Sequence, residues 1–175
     1  TRKSDQKHFK NLKIKYPLLK FINAEAGKNR QLSSLNALKK LNRYKLTNVL
    51  IHDAARPFCS NKLIIKIIRS LNNNTSAIPY VISPDKKVLS KKEFNQNIKF
   101  IQTPQGFNFN RILKAHKNTK LVNAKDDSIL INQKELHFIK GEKLNIKITY
   151  PEDLNYFKIF LKPIYKSGIG YDIHQ

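Results

Sequence analysis

Short apolar runs alternate along this chain with segments whose apolar residues recur every three or four positions, and this alternation most constrains the fold. "LLKFIN", Leu18 to Asn23, predicts a strand; "QLSSLNALKKLN", Gln31 to Asn42, a helix; and "TNVLIH" the next strand. "SNKLIIKIIRSL" places Leu63, Ile64, Ile67, Ile68 and Leu71 on one helical face, with Ser60 as N-cap. "TSAIPYVI" is a further strand, and Ser83 to Phe100 reads as an extended polar excursion suited to a β-arm. "NFNRILKAHKN" is a helix carrying Phe109, Ile112, Leu113 and His116 on one face. "DDSILINQ" opens another helix with acids in its first turn, and "ELHFIKG" and "NIKIT" are short strands. "PEDLNYFKIFLK" sets Pro151 at a helix's first position. Crossovers of this length predict one α/β domain on a mainly parallel twisted sheet, with helices on both faces.

Ligands of such sheets bind beyond the carboxyl ends of the strands. There "NVLIHDAARPF", Asn48 to Phe58, passes from an apolar run to His52, Asp53, two alanines and Arg56. Small residues let a ligand approach the backbone, and the acid and arginine together suit a ligand bearing a metal and phosphate. His52 is expected to position the loop backbone.

Forty per cent hydrophobic residues in a chain of 175 exclude a disordered polymer, and no apolar run reaches the length of a membrane span. A single cysteine, Cys59, excludes an internal disulfide framework and fits a reducing, cytoplasmic compartment. No histidine is set beside it to activate a catalytic thiol. The net charge of +22 admits a nucleic-acid surface or a composition bias. Lysines scattered through every element, among abundant Asn and Ile, favour the bias. Neither an aromatic stacking platform nor a continuous basic stripe is present, so nucleic acid is not the expected partner. The chain contains no methionine and so does not open at an initiator residue, which leaves processing, trimming or a fragment.

Four clusters fall at predicted strand ends or turns: "EAGKNRQLSS", "HDAARP", "QTPQGF" and "GEKLNIKITYPEDL". With "KDDSIL", and in this order, they resemble the 2-C-methyl-D-erythritol 4-phosphate cytidylyltransferase family of the non-mevalonate isoprenoid pathway. The resemblance runs from about Phe21 to Leu161 and implies a Rossmann-like fold of the nucleotide-diphospho-sugar transferase type. It implies transfer of a cytidylyl group from CTP to methylerythritol phosphate with release of pyrophosphate. Asp53 matches the family's Mg²⁺-binding aspartate, and Arg56 the arginine holding the methylerythritol phosphate. Lys147 matches a lysine near the reacting phosphates, making Lys147, Asp53 and Arg56 the expected catalytic set. Thr103 and Thr149 match substrate-side hydroxyls, with Ser83 a stand-in for a third substrate contact. Gly27, Ser33 and Ala54 match nucleotide contacts, the glycine and alanine serving by smallness. The resemblance further implies a homodimer in which the arm Ser83 to Phe100 covers the neighbour's site, in the bacterial cytoplasm. Another nucleotidyltransferase of this fold, or a basic nucleic-acid-binding module, stays open as an alternative.

The chain departs from the family pattern in places. Ala26 replaces the first glycine of a Gly-Gly-x-x-Arg-x-x-Ser segment, Lys28 stands where a cytosine reader is usual, and Asn95 replaces an arginine. The family's glycine-rich phosphate loop has no counterpart, so the chain is expected to be an inactive fragment comprising a partial cytidylyltransferase domain at 1–163. The remaining 164–175 contain "GIGYDIHQ", which resembles the opening of 2-C-methyl-D-erythritol 2,4-cyclodiphosphate synthase, an enzyme fused to the cytidylyltransferase in some bacteria. Asp172 and His174 share one face of an extended strand, as two ligands of one divalent metal must. The resemblance implies Zn²⁺ when that second domain is complete.

Overall fold

A computed structural model describes residues 6–82, 88–89, 92–93 and 98–155. Helix α1 spans Gln6–Lys15 and buries no residue, and α2 spans Arg30–Leu41 behind an Asn29 N-cap. Between them Leu18 to Asn23 forms no strand. An extended run needs a neighbouring strand for its backbone groups, and among the described residues none lies alongside, leaving Leu18 99% exposed.

Strand β1, Asn48–Ile51, leads through α3, Asn61–Ser70, to β2, Ser76–Ile82. Ser60 caps α3, its hydroxyl accepting from the Leu63 N–H. Leu63, Ile67 and Leu71 are buried, while Ile68 is half exposed. The short strands β3, Val88–Leu89, and β4, Lys92–Glu93, pair antiparallel within the expected arm. Its last residues belong instead to β5, Lys99–Ile101, paired with β2; Ser83 and Asn95 lie outside the described residues. Strand β6, Gln105–Asn108, feeds α4, Phe109–Asn118, and β7, Phe138–Lys140, follows.

The α/β class is as expected, but the sheet is mixed rather than mainly parallel. β1, β2 and β7 share one direction, as the crossover through α3 requires of the first two. β6 inserts between β1 and β2 and runs against both, and β5 continues it beside β2. Among the described residues β1 has a partner on this one side only.

Alternating strand residues feed cores on the two faces of the sheet. Val49, Ile51, Ile78 and Phe107 pack with Leu38 of α2 and Phe109, Ile112 and Leu113 of α4. Leu50, Ala77 and Ile139 pack with α3 on the opposite face. Gly106 lies under α3, where a Cβ would come within 2.5 Å of Ile67 Cγ2 and 2.9 Å of Leu71 Cδ1.

Two expected elements take other forms. "DDSILINQ" makes only a 3₁₀ turn, Ser128–Leu130, because its acids are drawn into contacts elsewhere. "NIKIT" is extended without joining a strand ladder; Ile148 N–H donates to Ala55 O at 2.8 Å, fastening the segment to the loop after β1. Pro151 sits in a turn and helix begins at Asp153, whose Oδ2 accepts from Tyr150 N–H and Thr149 N–H as an N-terminal cap.

Candidate active site

At the carboxyl end of β1 the chain turns, with Arg56 N–H donating to Asp53 O at 2.9 Å. His52 braces the turn, Nε2 meeting Arg56 O and Nδ1 meeting Thr103 Oγ1, each at 3.1 Å. Asp53 N–H donates to the same Thr103 hydroxyl at 2.9 Å. Thr103 is 3% exposed, and its hydroxyl ties the β1 loop to the β5–β6 bend.

The bend is held from below. Asn145 is fully buried and donates Nδ2 to Thr103 O at 2.9 Å, while Gln102 Nε2 donates to Glu142 O and Asn145 O. Arg56 Nη1 donates to Asn145 O at 2.7 Å. Burial lowers the pKa of the Arg56 guanidinium, and the nearby Asp53 and Asp126 partly offset this. The segment thus anchored brings Lys147 Nζ to 2.9 Å from Asp53 Oδ2.

Arg30 approaches from the first turn of α2. Its Nη2 lies 3.7 Å from Asp53 Oδ1 and 2.6 Å from Asp127 Oδ2. Asp127 is buried, and His116 Nε2 donates to its other oxygen at 2.9 Å. Burial alone would raise the Asp127 pKa, but the His116 hydrogen bond and the Arg30 charge hold it below the usual carboxylate range. Arg30 is the counterpart: desolvation pulls its pKa down, and Asp127 beside it brings the net change upward. Asp126 Oδ2 accepts from Gln105 Nε2 at 2.8 Å.

Asp53, Arg56, Thr103 and Lys147, chosen from separate stretches of sequence, therefore meet at one place. Ala54 lies exposed beside them. Gly27 and Ser33 close the loop before α2: Gly27 N–H donates to Ser33 Oγ, which donates to Asn29 O. A Cβ at Gly27 would strike Leu32 and the backbone of Ser33, so its smallness serves packing against α2. Thr149 is exposed at the rim, its hydroxyl 3.4 Å from Lys147 O. Ser83, Asp172 and His174 lie outside the described residues. Burial and Glu142 push the Cys59 thiol pKa up, which argues against a nucleophile.

Sequence reasoning missed Arg30, Asp127 and Asn145 as site residues. Arg30 lies within "EAGKNRQLSS", and Asp126 and Asp127 lie within "DDSILINQ", where the sequence offers them as first-turn acids of a helix. No local pattern marks Asn145, whose role depends on folding back beneath Thr103.

The sequence profile described as "IspD: 2-C-methyl-D-erythritol 4-phosphate cytidylyltransferase" matches residues 1–163. A "Bifunctional enzyme IspD/IspF" of Wolbachia sp. subsp. Brugia malayi is 39% identical over 160 residues, covering 85% of this chain and 39% of that protein. A "2-C-methyl-D-erythritol 4-phosphate cytidylyltransferase" of Clostridium botulinum (strain Langeland) is 40% identical over 139 residues, covering 73% and 60%. The chain thus spans 39% of the length of the first of these relatives and 60% of the second. Among solved structures, 4-diphosphocytidyl-2C-methyl-D-erythritol synthase of Anaerococcus prevotii superposes with TM-score 0.77 at 28% identity, covering 93% of this chain and 76% of that one. The bifunctional IspDF of Campylobacter jejuni superposes with TM-score 0.68 at 26% identity, covering 83% and 39%.

Proposed function

The chain belongs to the 2-C-methyl-D-erythritol 4-phosphate cytidylyltransferase family, and from that premise we propose that it contributes to transferring a cytidylyl group from CTP to 2-C-methyl-D-erythritol 4-phosphate. The reaction releases pyrophosphate, and the domain works within a bifunctional enzyme that also carries a cyclodiphosphate synthase. The single observation that supports this most is the meeting of Asp53 and Lys147 at 2.9 Å, with Arg30 and Arg56 beside them.

A phosphate oxygen of the polyol attacks the α-phosphorus of CTP, and the bond from that phosphorus to the bridging oxygen breaks as pyrophosphate leaves. The attacking oxygen is already anionic, so no strong base is needed; positioning and charge neutralisation are. Arg56 gives a guanidinium for the polyol phosphate, and Lys147 a point charge for the phosphates that react. Ser33, Gly27 and Ala54 are the proposed nucleotide contacts, and Thr103, Thr149 and Ser83 the proposed substrate contacts. The Thr103 hydroxyl also braces the Asp53 loop.

Among the described residues no cluster of three or more metal-ligating side chains occurs. A lone carboxylate, Asp53, fits a cation such as Mg²⁺ that takes its remaining ligands from nucleotide phosphates. When bound it would neutralise phosphate charge. Asp172 and His174 are the proposed first ligands of Zn²⁺ in the second domain. A homodimer through the arm and a place in the bacterial cytoplasm belong to the same reading; among the described residues no helix is long and apolar enough to cross a membrane.

The test is pyrophosphate release from CTP and Mg²⁺, with and without methylerythritol phosphate, in a full-length bifunctional protein carrying this domain and in its Asp53→Asn variant. Release that requires the polyol phosphate and is lost in the variant is expected. Release with a different polyol or sugar phosphate would transfer the site to another nucleotidyltransferase reaction.

A further inference from the structure

One nitrogen of Arg30 stands between two carboxylates. Nη2 is bonded to Asp127 Oδ2 at 2.6 Å and lies 3.7 Å from Asp53 Oδ1, beyond hydrogen-bond range. The two acids differ in setting. The Asp127 side chain is 1% exposed and its second oxygen is taken by His116, whose own side chain has no exposed surface. Asp53 is 19% exposed and already meets Lys147 through Oδ2. A carboxylate sealed from water holds a guanidinium more tightly than one sharing its field with solvent and a second cation. Asp126 adds its field to both Arg30 and Arg56 but is engaged by Gln105.

We propose that Asp127 is a positioning residue that holds Arg30 off Asp53. The buried carboxylate, oriented by His116, takes the guanidinium, and Asp53 Oδ1 stays open to the cation that accompanies the nucleotide. This rests on the reading of Asp53 as the metal-binding residue. Arg30 keeps its positive charge near the phosphates without capping the acid they depend on. Without the charge of Asp127, the carboxylates left near Arg30 are Asp126, whose oxygens are held by Gln105 and Ser128, and Asp53, on which the guanidinium closes.

The first test needs no ligand. Arg30→Gln and Asp53→Asn, singly and together, are made in the native chain and in Asp127→Asn, and urea unfolding gives the coupling between residues 30 and 53. Coupling below about threefold in the unfolding constant is expected in the native chain, rising to about tenfold in Asp127→Asn. Equal or smaller coupling in Asp127→Asn overturns the proposal. Asp127→Ser repeats the cycle with a smaller neutral side chain should the amide fail to fold.

A second readout is binding of Mn²⁺ with CTP, followed by water-proton relaxation in the full-length bifunctional protein. Asp127→Asn should weaken it about tenfold, and adding Arg30→Gln should recover part of that loss, because the competitor for Asp53 is gone even though a charge near the phosphates goes with it. Weakening that Arg30→Gln leaves undiminished overturns the anchor role. The predicted change in coupling, found with no Mn²⁺ binding in any variant, supports the anchor and counts against the functional reading alone.

Discussion

Lys147 touches Asp53 while keeping nearly half of its side chain in water, so the pair adds little to folding and remains available to a ligand. In the full-length enzyme Lys147→Ala should lower kcat by about 100-fold with a much smaller change in KM for CTP, as for loss of a donor to transition-state charge. Steady-state kinetics at saturating polyol phosphate distinguishes this from a rise in KM alone, which would assign Lys147 to uniform binding. Asp127 gives a different expectation, in pH. Its folded-state pKa is depressed, so its contribution to stability is complete above the ordinary carboxylate range and is lost as pH falls through the lowered value. Asp127→Asn should therefore flatten the acid limb of stability below about pH 4, read from urea midpoints across an acid series. These two residues also mark what the sequence could convey. Asp53, Arg56 and Lys147 were legible because each sits in a distinctive motif, whereas the partnership of Asp127 with Arg30 exists only after distant segments have packed.

Legibility at the scale of elements followed burial. Helices α3 and α4 were readable because each presents one apolar stripe to one core, and Ser60, the N-cap of α3, is a local signal. Leu18 to Asn23 and "NIKIT" have strand-like composition without a ladder to join, and composition cannot supply the missing neighbour. The direction of β1 and β2 followed from the crossover, but the insertion of β6 between them did not, since its four residues, Gln105–Asn108, carry no sign of what they lie beside. Gly106 is the visible trace of that arrangement, since α3 presses on the sheet there. Gly106→Ala should destabilise the chain by roughly 1–3 kcal/mol through overpacking against Ile67. Combined with Ile67→Ala, which alone should cost about 2–5 kcal/mol, the loss should be less than the sum, as urea unfolding of the three variants would show.

The whole molecule carries a net charge of +22, and that charge repels itself in any compact state. Raising ionic strength from about 0.01 M to about 0.15 M should raise the thermal midpoint, because screening shortens from about 30 Å to about 8 Å. A midpoint that falls across the same range would mean that ion pairs such as Arg111–Glu135, bonded at 2.6 Å, outweigh the general repulsion. The sheet order has a consequence of another kind, in time. The β1–α3–β2 unit is continuous in sequence, yet its two strands cannot meet each other, because the place between them belongs to Gln105–Asn108. Local closure of that unit gains no ladder, and its helix has only half a surface to lie on. β6 follows both of its neighbours in the chain and has to enter between them, so this topology predicts a slow, long-range insertion in folding. Until it happens, β1 and β2 are two exposed strands with open edges, and this interval is when the chain is most vulnerable to pairing with another copy of itself.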